Sequence, residues 1–187
     1  MTSTCIRYAD ILRPEGRISS AVYDTMLVLA GSILIALSAK VAFPVPFSPV
    51  PVTGQTFAVL LMGALLGSKR GVLAVFAYMA EGISGMPVFT GAGAGFAYLM
   101  GPTGGYIAGF AAAAGITGLL AEKGWDRNVF TTALAMAAGS AAIYLFGAMW
   151  LSVFVGGKAF SLGVVPFIPG DIVKIALAAA LLPAGWK

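Results

Sequence analysis

The sequence predicts an all-α integral membrane protein of six transmembrane helices. Three observations carry that prediction. Of 187 residues, 59% are hydrophobic and only 10% are charged, against about 25% charged residues in soluble domains. The mean hydropathy of +0.95 means that most of the exterior must face lipid. The basic residues stand at the ends of apolar runs, where membrane topology is set.

The runs follow in order. Residues 1–20 read as a polar cytoplasmic tail with a short amphipathic turn around Tyr8–Leu12, and residues 21–187 as a single transmembrane domain. The first span is expected over Ala21–Phe43. Four prolines follow between Pro44 and Pro51. Each removes an N–H donor and fixes φ, so this stretch must be extended, entering or covering the membrane region. A short second span over Thr53–Gly67 reaches only about 22 Å against a hydrocarbon core of about 30 Å, which places its start beneath the Pro-rich segment. Lys69 and Arg70 separate it from a third span over Gly71–Met86. The stretch 87–105 is rich in glycine and uncharged. Backbone of that kind lies at membrane depth only where protein or a cavity satisfies its polar groups. A fourth span is expected over Thr103–Ala121, a fifth over Val129–Val155, a loop over 156–169, and a sixth span over Gly170–Leu182.

Composition also excludes function classes. One Cys, Cys5, and no His leave no intramolecular disulfide, no His-based metal or haem site and no His-based catalytic triad. No catalytic residue, metal site or cofactor is expected. The net charge of +4 is not gathered on one face, so it is no nucleic-acid footprint. The glycine-rich stretch lacks the Gly-Lys-Ser/Thr of a phosphate loop, so an ATP-driven process needs another subunit to supply the energy.

The strongest chemical signal is Pro169-Gly-Asp171-Ile-Val-Lys174, where two opposite charges share one helix face at i,i+3. Ionisable residues within spans are costly and mark functional sites, although an interfacial ion pair that only anchors the helix fits the same spacing. Glu81 is the other intramembrane carboxylate and reads equally well as a site residue or as a solvated helix end. Thr53, Gln55 and Thr56 open the second span, where Thr53 also fits as an N-cap. Phe89, Phe96, Tyr98 and Tyr106 flank the glycines, as an interfacial belt or as a pocket lining.

Taken together, Pro49-Val-Pro-Val-Thr53-Gly-Gln55-Thr56, Gly85-Met-Pro-Val-Phe89, Gly101-Pro-Thr-Gly-Gly-Tyr106 and Pro169-Gly-Asp171 with Lys174 resemble the BioY family, the biotin-specific S components of energy-coupling factor (ECF) transporters. The resemblance runs in register from about Ala36 to Ala180. It implies an ECF S-component-like six-helix bundle in the bacterial inner membrane, multi-pass, capturing biotin from the outside. Its implied partners are biotin, membrane lipid, a transmembrane coupling protein and two cytoplasmic ATPases. Asp171 and Lys174 match family binding positions. With biotin as ligand, Asp171 is expected to accept a ureido N–H and Lys174 to pair with the carboxylate or with Asp171. Thr53, Gln55 and Tyr106 complete the hydrogen bonds, Phe89 and Tyr98 cover the thioether ring, and Glu81 joins the candidate set. Some family members have a basic residue near the start of span four and this sequence has none, which leaves the carboxylate partner open. The Ala-x-x-x-Ala of S components is approximated by Ser32/Ala36 and Ser38/Ala42, as a surface for the coupling protein or as packing within the bundle. An S component for another vitamin, a self-sufficient carrier and, furthest from the residues present, an intramembrane enzyme built on Asp171 and Lys174 are the competing readings.

Lys and Arg concentrate before the first span, between spans two and three, between four and five, and after six, while the alternate loops hold Lys158 with Lys40 near one of them. The positive-inside rule then puts both termini in the cytoplasm. Reporter fusions at Lys69 and Lys158 should report opposite sides of the membrane, and matching sides would sink this topology.

Overall fold

The computed structural model describes residues 8–11 and 19–186. Cys5, Arg7, Arg13, Arg17 and Lys187, and with them most of the expected tail, lie outside the described residues. In chain order the elements are α1 (Tyr8–Ile11), α2 (Ser20–Ser38), β1 (Ala42–Phe43), β2 (Val52–Thr53), α3 (Gln55–Leu66), α4 (Ser68–Ile83), α5 (Phe96–Leu99), α6 (Gly104–Ala121), α7 (Val129–Val155), α8 (Ala159–Gly163) and α9 (Ile168–Ala184). The helical stretches Ser20–Ser38, Gly104–Ala121 and Val129–Ala184 are long and apolar enough to cross a membrane. The last is broken at Gly156, whose φ of +60° suits glycine, into α7, α8 and α9.

Local chemistry explains the boundaries. Ser19 caps α2 through its hydroxyl, which accepts the Val22 N–H, and Asn128 caps α7 by accepting the Phe130 N–H. Gly67 alone joins α3 to α4 at φ +83°, a conformation that L side chains resist. Pro169 lies in the first turn of α9, where its missing N–H costs no helix bond. Helix α7 has the bounds expected of the fifth span. The first ends at Ser38, not Phe43, because Ala42 and Phe43 pair antiparallel with Thr53 and Val52. The Pro-rich stretch is therefore the loop of a small hairpin. The expected loop 156–169 holds α8 and two 3-10 turns, and 87–105 holds α5 and a 3-10 turn.

The four partner-packing candidates split between α2 and the hairpin. Ser32 is fully buried and donates to Glu81 Oε1 at 2.6 Å, so it faces into the bundle. Ala36 and Ser38 are half-buried, and Ala42 belongs to the hairpin. Ser38 and Ala42 are not one turn apart on a helix, and the four residues make no common outward stripe. The outward stripe of α2 is instead Val22, Met26, Leu29, Ile33 and Leu37, all large, apolar and exposed. Their spacing of three and four marks one helix face. Ile172, Val173, Leu177 and Leu181 do the same for α9, as expected of surfaces that meet lipid.

Glycine sets the packing of α3, α4 and α6. A Cβ on Gly63 would stand 2.6 Å from the Ala114 carbonyl oxygen, and one on Gly71 would stand 3.0 Å from Gly63 Cα. A Cβ on Gly118 would collide with the backbone of Ser68. At the same end, Glu122 accepts from Ser68 N (2.9 Å) and Ser68 Oγ (3.0 Å), a carboxylate at the N-terminus of α4, where the helix dipole favours it. Arg70 pairs there with Asp10 and Asp24, each at 2.7 Å. Tyr8 donates to the Leu182 carbonyl and packs on Trp186, whose Nε1 donates to Asp126 at 2.9 Å with Arg127 over the ring. Burial pushes the Asp126 carboxyl above its ordinary value, against the pull of Trp186 and Arg127. The hairpin, the glycine-rich segment and the α8 region gather at the opposite end of the bundle. There Lys40 reaches Pro87 O (2.5 Å), Thr90 reaches Gln55 (3.2 Å) and Tyr106 reaches Gly163 O (2.7 Å).

Overpacking a close backbone contact typically costs about 1–3 kcal/mol. Gly63→Val should therefore lower the melting temperature of the detergent-purified protein. Gly157→Ala, at a position with nothing within 4 Å of the added Cβ, should leave it unchanged.

Candidate ligand-binding site

A cleft opens beneath the hairpin and the glycine-rich segment, which together form its lid. The hairpin contributes Val50, Pro51 and Thr53 to its walls, and the first turn of α3 contributes Gln55 and Thr56. The helices α4, α6 and α7 add Tyr78, Tyr106, Ile107, Phe110, Ile143 and Tyr144, while Thr90, Tyr98, Thr103 and Phe167 come from the connecting segments. None of these described lining residues is charged. A wider groove of about 1210 Å³ lies between α2 and α4. Its ionic end is already occupied by the pairing of Arg70 with Asp24, so the convergent polar groups expected of a binding site are in the first cavity.

Toward the lid, Gln55 is the organising residue. It is 4% exposed, and a buried amide needs partners. Its Nε2 donates to Tyr78 OH at 2.6 Å, while its Oε1 accepts from Thr90 at 3.2 Å and Thr53 at 3.4 Å. A lid residue, a hairpin residue and a helix residue therefore meet on one side chain. Thr53 Oγ1 also accepts the Gln55 N–H at 3.3 Å, but Thr53 ends β2 and the N-cap of α3 is Gly54 without a side-chain bond, so Thr53 is not the N-cap expected of it. Phe89 anchors the glycine-rich segment. Its ring lies edge-on to Tyr78 (5.4 Å) and stacks on Tyr98 (4.8 Å), over Gly82, where a Cβ would strike it. Lys40 clasps the same segment through the carbonyls of Pro87 (2.5 Å) and Phe89 (3.5 Å).

Behind the cavity wall, where the first turns of α9 meet the start of α3, stands an ionic unit. Lys174 Nζ donates to Asp171 Oδ1 (2.9 Å), Thr56 Oγ1 (2.7 Å) and the Thr53 carbonyl (2.9 Å). Asp171 Oδ1 also lies 3.2 Å from Thr56 Oγ1, and its Oδ2 accepts from Tyr144 OH at 2.5 Å. Thr56 and Tyr144 line the cavity, whereas Asp171 and Lys174 line a smaller void behind it with Phe57, Leu60, Met136, Ser140 and Ile175. The pairing of opposite charges and the added hydrogen bonds make this burial tolerable.

The expected site residues thus separate into three groups. Thr53, Gln55, Tyr98 and Tyr106 line the cavity. Asp171, Lys174 and Phe89 sit one layer behind it, Phe89 with no exposed surface. Glu81 stands apart, bonded to Ser32 on α2, and does not contribute to the cavity walls. Sequence reasoning missed Tyr78, Thr90, Thr103, Tyr144 and Phe167 as lining residues. Tyr78 carried a signal, lying one turn before Glu81 and pointing toward the glycine-rich segment. Tyr144 carried none, as one tyrosine among the 27 residues of an apolar helix.

Comparisons with known proteins bear on the family and the fold. The chain is 44% identical over 156 residues to the probable biotin transporter BioY of Pyrococcus horikoshii, covering 83% of this chain and 91% of that one. It is 40% identical to the biotin transporter BioY of Thermotoga maritima, covering 83% and 92%. The crystal structure of an S-component for biotin from an ECF-type ABC transporter superposes with a TM-score of 0.78 at 26% identity, covering 90% of this chain and 94% of that one. With residues 12–187 matching the BioY family model as well, this chain belongs to the BioY family.

Proposed function

We propose that this chain is the biotin-binding membrane subunit of a vitamin uptake transporter, an S component that captures biotin from the outside face for import. The observation that carries the reading is the uncharged, aromatic-walled cavity closed by the two lid segments and backed by one buried ion pair. Biotin has a neutral ureido ring, an apolar thioether ring and a carboxylate tail. The Asp171–Lys174 end suits the ureido ring, Phe110, Phe167 and Tyr106 suit the thioether ring, and the hydroxyl-rich lid end around Thr90, Tyr98 and Thr103 is left for the tail.

In this reading α2, α3, α4, α6, α7 and α9 are six spans crossing the bacterial inner membrane, with both termini cytoplasmic. The end carrying Lys69, Arg70, Lys123 and Arg127 faces inward, as the positive-inside rule requires. Residues 1–20 are then the cytoplasmic tail, and one transmembrane domain fills the rest. The sequence has no phosphate-binding motif, so energy comes from partners: a transmembrane coupling protein and two cytoplasmic ATPases. Biotin is cargo, and the function calls on no cofactor.

Calorimetric titration of protein purified from biotin-depleted cells tests this directly. Saturable one-to-one binding of biotin is expected, while silence with biotin and saturation by a different vitamin would reassign the ligand. Substitutions in the ionic unit test where the ligand sits. Asp171→Asn removes a charge-assisted acceptor and should weaken biotin by about 1.5–3 kcal/mol. Lys174→Ala leaves the carboxylate without its counter-charge and should cost at least as much. The double variant should cost less than the sum, as coupled neighbours do. Full affinity in poorly folded single variants would mean that the pair merely anchors α9.

A further inference from the structure

We propose that Lys40 supplies the counter-charge for the carboxylate tail of the ligand, and so makes the site select an anionic tail over a neutral one. The inference rests on the cavity being the biotin site and adds the residue that recognises the tail.

The wall itself cannot neutralise such a tail. None of the described lining residues is charged, and at the lid end Tyr98 and Thr103 offer hydroxyls alone. A carboxylate taken out of water is costly to bury unless it meets an opposite charge. Lys174 is not available for that purpose. A lysine ammonium has three N–H donors, and its three are directed at Thr53 O, Thr56 Oγ1 and Asp171 Oδ1. Among the described residues the lid end has two other cations, Lys40 and Lys158. Lys158 follows Gly156 and Gly157, where an added Cβ would meet nothing within 4 Å, so its turn projects from the bundle.

Lys40 is placed differently. It follows the last turn of α2, where the negative end of the helix dipole favours a cation, and its own N–H bonds the Leu37 carbonyl at 3.1 Å. The next residue, Val41, accepts from Gly54 N at 2.9 Å, which fixes Lys40 beside the hairpin. Its ammonium crosses to the glycine-rich segment and donates to Pro87 O at 2.5 Å and Phe89 O at 3.5 Å. The Phe89 carbonyl belongs to the peptide leading into Thr90, which lines the cavity. The charge thus sits one residue from the wall. Both of its partners are neutral carbonyls, and the third N–H makes no bond among the described residues. Glu81, the carboxylate nearest in sequence to that segment, accepts instead from Ser32 at 2.6 Å. A ligand carboxylate brought under the lid therefore meets a cation that has no carboxylate of its own, on the side chain that already ties the two lid segments together.

Calorimetric titration with biotin and with its primary amide, which keeps both rings but has no charge on the tail, tests the proposal. The intact protein should prefer biotin roughly tenfold or more, as a hydrogen bond to a charged partner implies. Lys40→Met should cut that preference to less than about threefold by weakening biotin while leaving the amide nearly unchanged, and Lys40→Arg should restore it. Lys158→Met should behave as the parent. If Lys40→Met weakens both ligands alike, Lys40 only clasps the lid and the proposal falls. It falls equally if Lys40→Met keeps the parent's preference, if Lys158→Met loses it, or if the parent has none, and in each case biotin binding leaves the functional reading standing. If the parent protein does not bind biotin, both fall. A measurement on the intact protein guards against a misfolded variant. Lys40 is exposed, so its charge is open to screening, and the preference should shrink at about 1 M salt, where the screening length is about 3 Å. A preference that salt leaves unchanged overturns the assignment.

Discussion

Gly63, Gly71, Ala114 and Gly118 bring the backbones of α3, α4 and α6 into direct contact, and the rest of the bundle is arranged around that contact. In lipid the hydrophobic effect does not drive helices together, so close approach through small residues has to supply the attraction. The approach is tightest at the end where Glu122 caps α4 and Arg70 is paired with two aspartates. From there α3, α4 and α6 run to the opposite end, where larger side chains such as Tyr78, Tyr106 and Phe110 hold them apart around the cavity. One half of the molecule is joined backbone to backbone, and the other half is open enough to hold a guest.

Within the open half, the buried polar groups around the cavity are joined in two networks, while Ser140 Oγ, in the void behind the wall, has no partner. Gln55 satisfies its amide through Tyr78, Thr90 and Thr53. The Asp171–Lys174 pair satisfies itself through Thr53, Thr56 and Tyr144. Thr53 belongs to both networks and also pairs with Ala42 in the hairpin. The lid and the ionic unit are thus mechanically linked across a few residues, through backbone that cannot easily shift without breaking bonds on both sides.

Much of the helical framework was legible in the sequence because its signals are continuous. Asn128 and Gly156 mark the two ends of α7, and Lys69 with Arg70 marks the break beside Gly67. The connections were less legible. Four prolines forbid helix between Pro44 and Pro51, but they do not reveal that Ala42 and Phe43 pair with Val52 and Thr53. The short α8 is held by tertiary packing, with Gly163 against Tyr106 and Leu151. Of the candidate site, residues beside proline and glycine segments could be read, because such backbone at membrane depth implies a cavity. The direction in which Tyr144 or Glu81 points could not. It depends on partners far along the chain, Asp171 for one and Ser32 for the other, and no local pattern encodes that meeting.

The joined half also governs passage. With main chain against main chain beneath the cavity, a molecule seated under the lid meets no seam between α3, α4 and α6 through which to slip. Such a body is a vessel with a solid base and a single rim, not a conduit. For a molecule held beneath the lid, the way in along these three helices is then also the way out.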